Sequence, residues 1–135
     1  MPQALILMLV CRDGGAEIEF CKNAFGAIEL DRRAAPDGTV VHSTLKIGQA
    51  LIMVHGEFPH LASRAPLLDG SAPVVIYLYV EDVDAVIERA MTEGAKVLMP
   101  AEVHTWGDRV GRICDPSGHL WNVATSAKDR ERKYP

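Results

Sequence analysis

Apolar and polar positions recur along this chain in one order, twice. An apolar run leads to a turn, and the turn to a stretch whose apolar side chains return every three or four residues. Leu5 to Ala27 reads LILMLVCRDGGAEIEFCKNAFGA, and Val74 to Ala95 reads VVIYLYVEDVDAVIERAMTEGA. Asp13 and Asp82 hold the same place in both, where a side-chain oxygen can cap the first turn of a helix. Ile18, Cys21 and Phe25 come after Asp13 at helical spacing, with Glu17, Lys22 and Asn23 as polar positions between them. After Asp82 the stripe is Val83, Val86, Ile87, Ala90 and Met91. Gly26 and Gly94 stop the two helices.

Beyond each helix the chain reads as three short strands joined by Gly-containing turns. In the first copy these are Ile28 to Arg33, Val40 to Ile47 and Ala50 to His55; in the second they are Lys96 to Pro100, Arg109 to Cys114 and Leu120 to Ala124. With an opening strand over about Ala4 to Val10, each copy is strand, helix, three strands. The expected layout is a single domain over residues 1–125: module 1 at about 4–57, a linker at 58–73 and module 2 at about 74–125. A charged tail, 126–135, is expected to fray. The linker FPHLASRAPLLDGSAP has three prolines and no periodicity. It reads as plain connection or, because Leu67 and Leu68 want burial, as a flap over a ligand site or a reach to a second subunit.

Composition narrows the setting. The chain has 135 residues, 48% of them apolar, which suits one core. A formal charge of -4 leaves no basic stripe for phosphate backbones, so nucleic acid is not an expected partner. No apolar run approaches the roughly 20 residues a membrane span needs, and the N-terminus lacks a signal-peptide pattern. No membrane partner is expected, and cytoplasmic residence is the default. Cys11, Cys21 and Cys114 fit neither a CxxC metal pattern nor a disulfide framework, and read as reduced thiols packed as small apolar groups.

The turns carry a resemblance. Trp106 to Trp121 reads WGDRVGRICDPSGHLW and Phe20 to Ala27 reads FCKNAFGA. Together with the duplicated modules, these resemble the vicinal oxygen chelate superfamily of glyoxalases, ring-cleaving dioxygenases and antibiotic-binding proteins, and within it the PhnB-like branch. The resemblance covers Leu5 to about Thr125. It implies an α+β fold in which two βαβββ modules form a curved, cup-shaped mixed sheet with helices on the convex face. A small-molecule ligand would sit in the concavity. Superfamily members usually pair exposed strand edges or exchange modules, so a homodimer with two cups is expected.

Strand alternation then sorts residues between cup and helices. Val74, Ile76, Leu78 and Val80 would face the helix, leaving Val75, Tyr77 and Tyr79 toward the cup. Val41, Leu45 and Ile47 would pack outward, leaving His42, Thr44 and Lys46 inward. His42 is thus either a cup residue or a histidine satisfied at a barrel end.

Four positions supply His, Glu or Gln ligands in the metal-dependent members that this chain resembles. Here they fall on Ile6, Val75, Asn122, and Met53 or, with a shorter hairpin, Ile52. Hydrocarbon, thioether and one neutral amide do not make a divalent-ion site, so neither metal nor cofactor is expected. His55, Glu57 and His60 have spacings of two and three that could build a different site with a third strand.

Two turns remain. In DPSGH, Asp115 can cap the turn, Pro116 fixes a central residue and Gly118 supplies a positive φ. In HTWGDRVGR, Trp106 can pack over the mouth of the cup while Arg109 pairs with Asp108 or with an anionic ligand. The expected ligand-binding set is therefore Ile6, Thr44, Met53, Val75, Tyr77, Tyr79, Trp106, Arg109 and Asn122. Three functions fit it: a metal-free small-molecule binder; an enzyme using His42 as general base; and a metal-dependent lyase, isomerase or dioxygenase with ligands foreign to the superfamily.

Overall fold

The computed structural model describes residues 2–129. Met1 and the end of the expected tail, residues 130–135, lie outside the described residues. The chain divides into two compact units, Met1–Pro66 and Leu67–Pro135.

The first unit contains β1 (Leu7–Cys11), α1 (Gly14–Phe25), β2 (Ile28–Ala34), β3 (Val40–Ile47) and β4 (Ala50–Gly56). Its four strands form one sheet in the order β1-β4-β3-β2. β1 runs parallel to β4, and β3 is antiparallel to both β2 and β4. Asp13 caps α1 by accepting the Ala16 amide at 3.0 Å, and Gly26 ends it at φ 71°. Only a residue free of Cβ takes that conformation without strain. Ile18, Cys21 and Ala24 are fully buried on α1, as are Leu45 and Val54 on β3 and β4, which the helix packs against.

Two expectations fail here. Glu17 is wholly buried rather than on a polar face, and Phe25 is only half-buried while Phe20 takes its place inside. A carboxylate in the first helical turn is favoured by the helix N-terminus, which offsets part of the cost of burying it. Within the linker, Phe58 and Ser63 form a bridge around a short 3-10 turn at Pro59–Leu61, and Arg12 donates to the Pro66 carbonyl.

The second unit repeats the plan with β5 (Val75–Tyr79), α2 (Val83–Thr92), β6 (Lys96–Val103), β7 (Arg109–Cys114) and β8 (Leu120–Thr125). Its sheet order is β5-β8-β7-β6. Asp82 caps α2 through the Ala85 amide at 3.2 Å. Val83, Val86, Ile87 and Ala90 are the buried stripe, and Met91, expected to complete it, stays 54% exposed at its rim. At Gly111 α2 packs tightly on β7: an added Cβ would stand 2.5 Å from Ile87 Cδ1. Leu67 and Leu68 are 72% and 65% exposed within the chain, beside a turn held by Asp69, which accepts both the amide and the hydroxyl of Ser71.

β6 runs past Pro100, where the sequence suggested it would stop. It is an edge strand, paired with β7 on one side only, with register shifts between Val97 and Met99 and between Met99 and Glu102, and such a strand tolerates a proline at a bulge or on its unpaired side. The start of the expected tail is also ordered, with the Ala127 amide bonded to Asp108 at 3.2 Å and that of Asp129 to the Ser126 hydroxyl at 3.1 Å. Among the described residues, no helix is long and apolar enough to cross a membrane.

Candidate functional site

Each sheet has one face covered by its own helix and one turned away from it. Cross-strand partners share a face, so the open face can be read row by row. In the first unit one row runs Met8, Met53, Thr44, Asp31, and the next runs Val10, His55, His42, Arg33. Of Met53 and Ile52, Ile52 is buried on the helix side with Leu45, and Met53 lies on the open side with Thr44. Ile6 precedes β1, on the same alternation as Met8.

His42 lies on the open face, half-buried, with Nε2 3.3 Å from the Thr44 hydroxyl. Its ring meets that of His55 edge-on, centroids 5.5 Å apart. The His55 ring leans on Phe58 at 4.8 Å, and Phe58 in turn stands 6.0 Å from His60. Glu57 turns elsewhere and accepts the Ala65 amide at 3.0 Å. His55, Glu57 and His60 therefore do not bring three ligand atoms together among the described residues.

In the second unit the central row runs Tyr77, Asn122, Arg112, Met99 across β5, β8, β7 and β6, and Val75 pairs with Leu120 one step away. Tyr77 and Tyr79 share one acceptor. Their hydroxyls donate to Asp108 Oδ2 at 3.1 and 2.7 Å, while the Trp106 indole N–H donates to the Tyr77 oxygen at 3.3 Å. The Trp106 ring stacks on His104 with centroids 4.6 Å apart, and its outer side remains open.

Proton affinities reflect this geometry. Burial pushes the Asp108 carboxyl up, but the hydrogen bonds from Tyr79, Tyr77 and the Ala127 amide outweigh it, and the pKa lies below its ordinary value. Bonding to that carboxylate pushes Tyr79 up to about 12, and burial raises Tyr77. Both phenols thus stay neutral and act as donors.

Arg109 does not join this face. It lies on the helix side of β7 and pairs with Asp84 of α2, Nε and Nη2 each 2.9 Å from a carboxylate oxygen. Alternation explains the correction, since Arg109 shares its side of the strand with Gly111, over which α2 packs. Arg112 was the residue missed. It stands opposite Asn122 and donates from Nε to Asn122 Oδ1 at 2.7 Å. Placing Gly111 and Ile113 against the helix would have pointed to it.

The DPSGH turn is structural. Asp115 accepts the amides of Ser117 and His119 at 2.9 and 3.0 Å and the Trp121 indole N–H at 2.9 Å, and Gly118 takes φ 96°. Elsewhere in this unit a pocket of about 540 Å³ lies between Leu68–Gly70 and the ends of β6 and β7, lined also by Lys96, Leu98 and Cys114. It includes none of the expected site residues.

Paired βαβββ units, each a mixed four-stranded sheet with one helix, define a glyoxalase-like α+β fold. The chain belongs to the Glyoxalase/Bleomycin resistance protein/Dioxygenase superfamily, whose family model matches residues 4–123. An uncharacterised protein of Mycobacterium bovis is 38% identical over 129 residues, covering 93% of this chain and 85% of the relative. Among solved structures, TioX from Micromonospora sp. ML1 is similar with a TM-score of 0.71 and 26% identity, over 92% of this chain and 98% of TioX. The fosfomycin resistance protein FosX from Listeria monocytogenes, in complex with Mn(II) and sulfate, shares the fold at TM-score 0.71 and 18% identity, over 100% of this chain and 99% of FosX.

The positions that the resemblance assigns to metal ligands can be set against the side chains present. Ile6, Met53 and Val75 offer no oxygen or nitrogen donor, and the Asn122 oxygen is taken by Arg112. A guanidinium beside the last candidate ligand also repels a cation. These residues do not fit a divalent ion.

Proposed function

We propose that this protein binds a small organic molecule directly, without a metal ion, on the open face of its second unit beside Tyr77, Trp106 and the Arg112–Asn122 pair. The observation that carries this reading is the donor chemistry at Ile6, Met53, Val75 and Asn122: three side chains with no oxygen or nitrogen to offer and one amide oxygen already bonded to a guanidinium. The Mn(II) bound in Listeria FosX has no matching donor set at these positions, which favours direct capture of an organic compound. The motif WGDRVGRICDPSGHLW supports placing it in the PhnB-like branch, and the regular, apolar edge strands β1 and β5 support action as a homodimer.

The two tryptophans make a test available. Trp121 is buried, 1% exposed, and Trp106 is 59% exposed, so a ligand on the open face changes the emission of Trp106. Titration with a broad panel of aromatic and amphipathic compounds is expected to give a saturable response that Trp106→Phe removes, in protein holding less than about a tenth of an equivalent of metal. A stoichiometric divalent ion, or silence across the whole panel, would overturn the reading.

A second reading draws on His42, half-buried and open to a ligand on the first unit. There it would act as a general base. Turnover lost in His42→Ala with ligand affinity unchanged would favour that enzyme over a pure binder.

A further inference from the structure

We infer that Arg112 is the anchor for an oxyanion, so that the ligand of the proposed site is an aromatic or amphipathic molecule carrying a carboxylate or phosphonate head group; this rests on reading that face as a small-molecule site. Arg112 sits inside the sheet, with Met99 on one side of its row and Asn122 and Tyr77 on the other. It is half-buried, yet no carboxylate lies within ion-pair distance of it among the described residues. Arg109, three residues earlier on the opposite face, is neutralised by two parallel bonds to Asp84. Asp108 and Asp115 are held by their own donors, the first by two phenols and the second by turn amides and an indole.

A guanidinium carries five N–H donors, and the bond to Asn122 uses the one on Nε. The four on the terminal nitrogens remain, arranged as the planar fork that matches an oxyanion. Asn122 fixes the side chain before any ligand arrives, which lowers the ordering cost of binding. A partly desolvated cation is also stabilised more by an anion than a fully hydrated one would be. Tyr77, beyond Asn122 in the same row, and Trp106, bonded to its hydroxyl, supply apolar ring surface for the body of the ligand.

Benzoate, phenylphosphonate and their neutral analogue benzamide probe this directly through Trp106 emission. At least one of the two anions is expected to bind wild type about tenfold or more tightly than benzamide, and Arg112→Gln to erase that difference. Arg109→Gln, which removes a charge from the helix side, is expected to leave it intact. Should Arg112→Gln fail to fold, Arg112→Lys keeps the charge without the fork and is expected to lose most of the preference. Equal binding of anions and benzamide to wild type, or an anion preference that survives in Arg112→Gln, would overturn the anchor while leaving a small-molecule site in place. No response to these probes or to the broader panel would sink the site itself.

Discussion

The two units carry the same scaffold and different surfaces. Asp13 and Asp82 cap their helices through the same i+3 amide, the sheet orders correspond strand for strand, and Leu9, Ile52 and Val54 of the first unit correspond to Leu78, Trp121 and Val123 of the second. On the open faces, Met8, Met53 and Thr44 occupy the row that Tyr77, Asn122 and Arg112 occupy in the second copy. Positions under the helices are constrained by volume, as are Val110, Leu120 and Ala124 on the other face, whereas the central row of Tyr77, Asn122 and Arg112 is only partly buried and less bound by packing. Comparing the copies therefore separates what holds the fold from what was free to acquire chemistry.

The largest expected difference between the units is in their cores. Trp121→Ala removes a large buried ring and leaves Asp115 Oδ2 without its indole donor, at a cost on the order of 5 kcal/mol. Ile52→Ala, at the corresponding place, removes less volume and no hydrogen bond, for about 3 kcal/mol. Urea unfolding followed by circular dichroism measures both, and equal losses would break the comparison.

The units also divide the pH range. Hydrogen bonds from Arg32, Ser43 and Lys22 outweigh partial burial and hold Glu29 at about 2, against an ordinary 4.5. A depressed carboxyl contributes stability above its unfolded pKa and loses it as pH falls toward the folded one. Glu29→Gln is therefore expected to flatten the acid limb of stability below about 4.5. Tyr79 is shifted the other way, from 10.0 to about 12, so its contribution is present below 10 and lost as pH rises toward 12. Tyr79→Phe is expected to flatten the alkaline limb alone. Thermal midpoints across pH test both, and a single substitution that moved both limbs would show that the units do not titrate separately.

The smallest effect is a matched pair. Asp13→Ala and Asp82→Ala each remove one cap at the same helical position, and each is expected to cost about 1 kcal/mol. A gap larger than that between them would show that the two helix starts are not equivalent.

The sequence made the repeated plan legible because alternation and helical spacing record which residues are shielded from water. Asp13, Asp82 and the DPSGH turn were readable for a related reason, since each is satisfied by backbone a few residues away. What it hid was tertiary. Alternation puts Arg109 and Arg112, three apart on one strand, on opposite faces, but only the approach of α2 to Gly111 shows which of the two lies on the helix side. Glu17 looked solvent-facing because charge is a good guide to exposure only where the helix surface is not covered. Pro100 looked like a strand end because the edge position of β6, which tolerates it, is a property of the sheet.

Two of the four edge strands bear on how the protein survives crowding. β2 and β6, beyond the two hairpins, both contain register shifts, and β2 also projects Arg32 and Arg33. A bulged edge, and a charged one in the case of β2, is a poor template for another molecule's backbone, so these two strands are blunted as seeds for cross-β fibre growth in a concentrated solution.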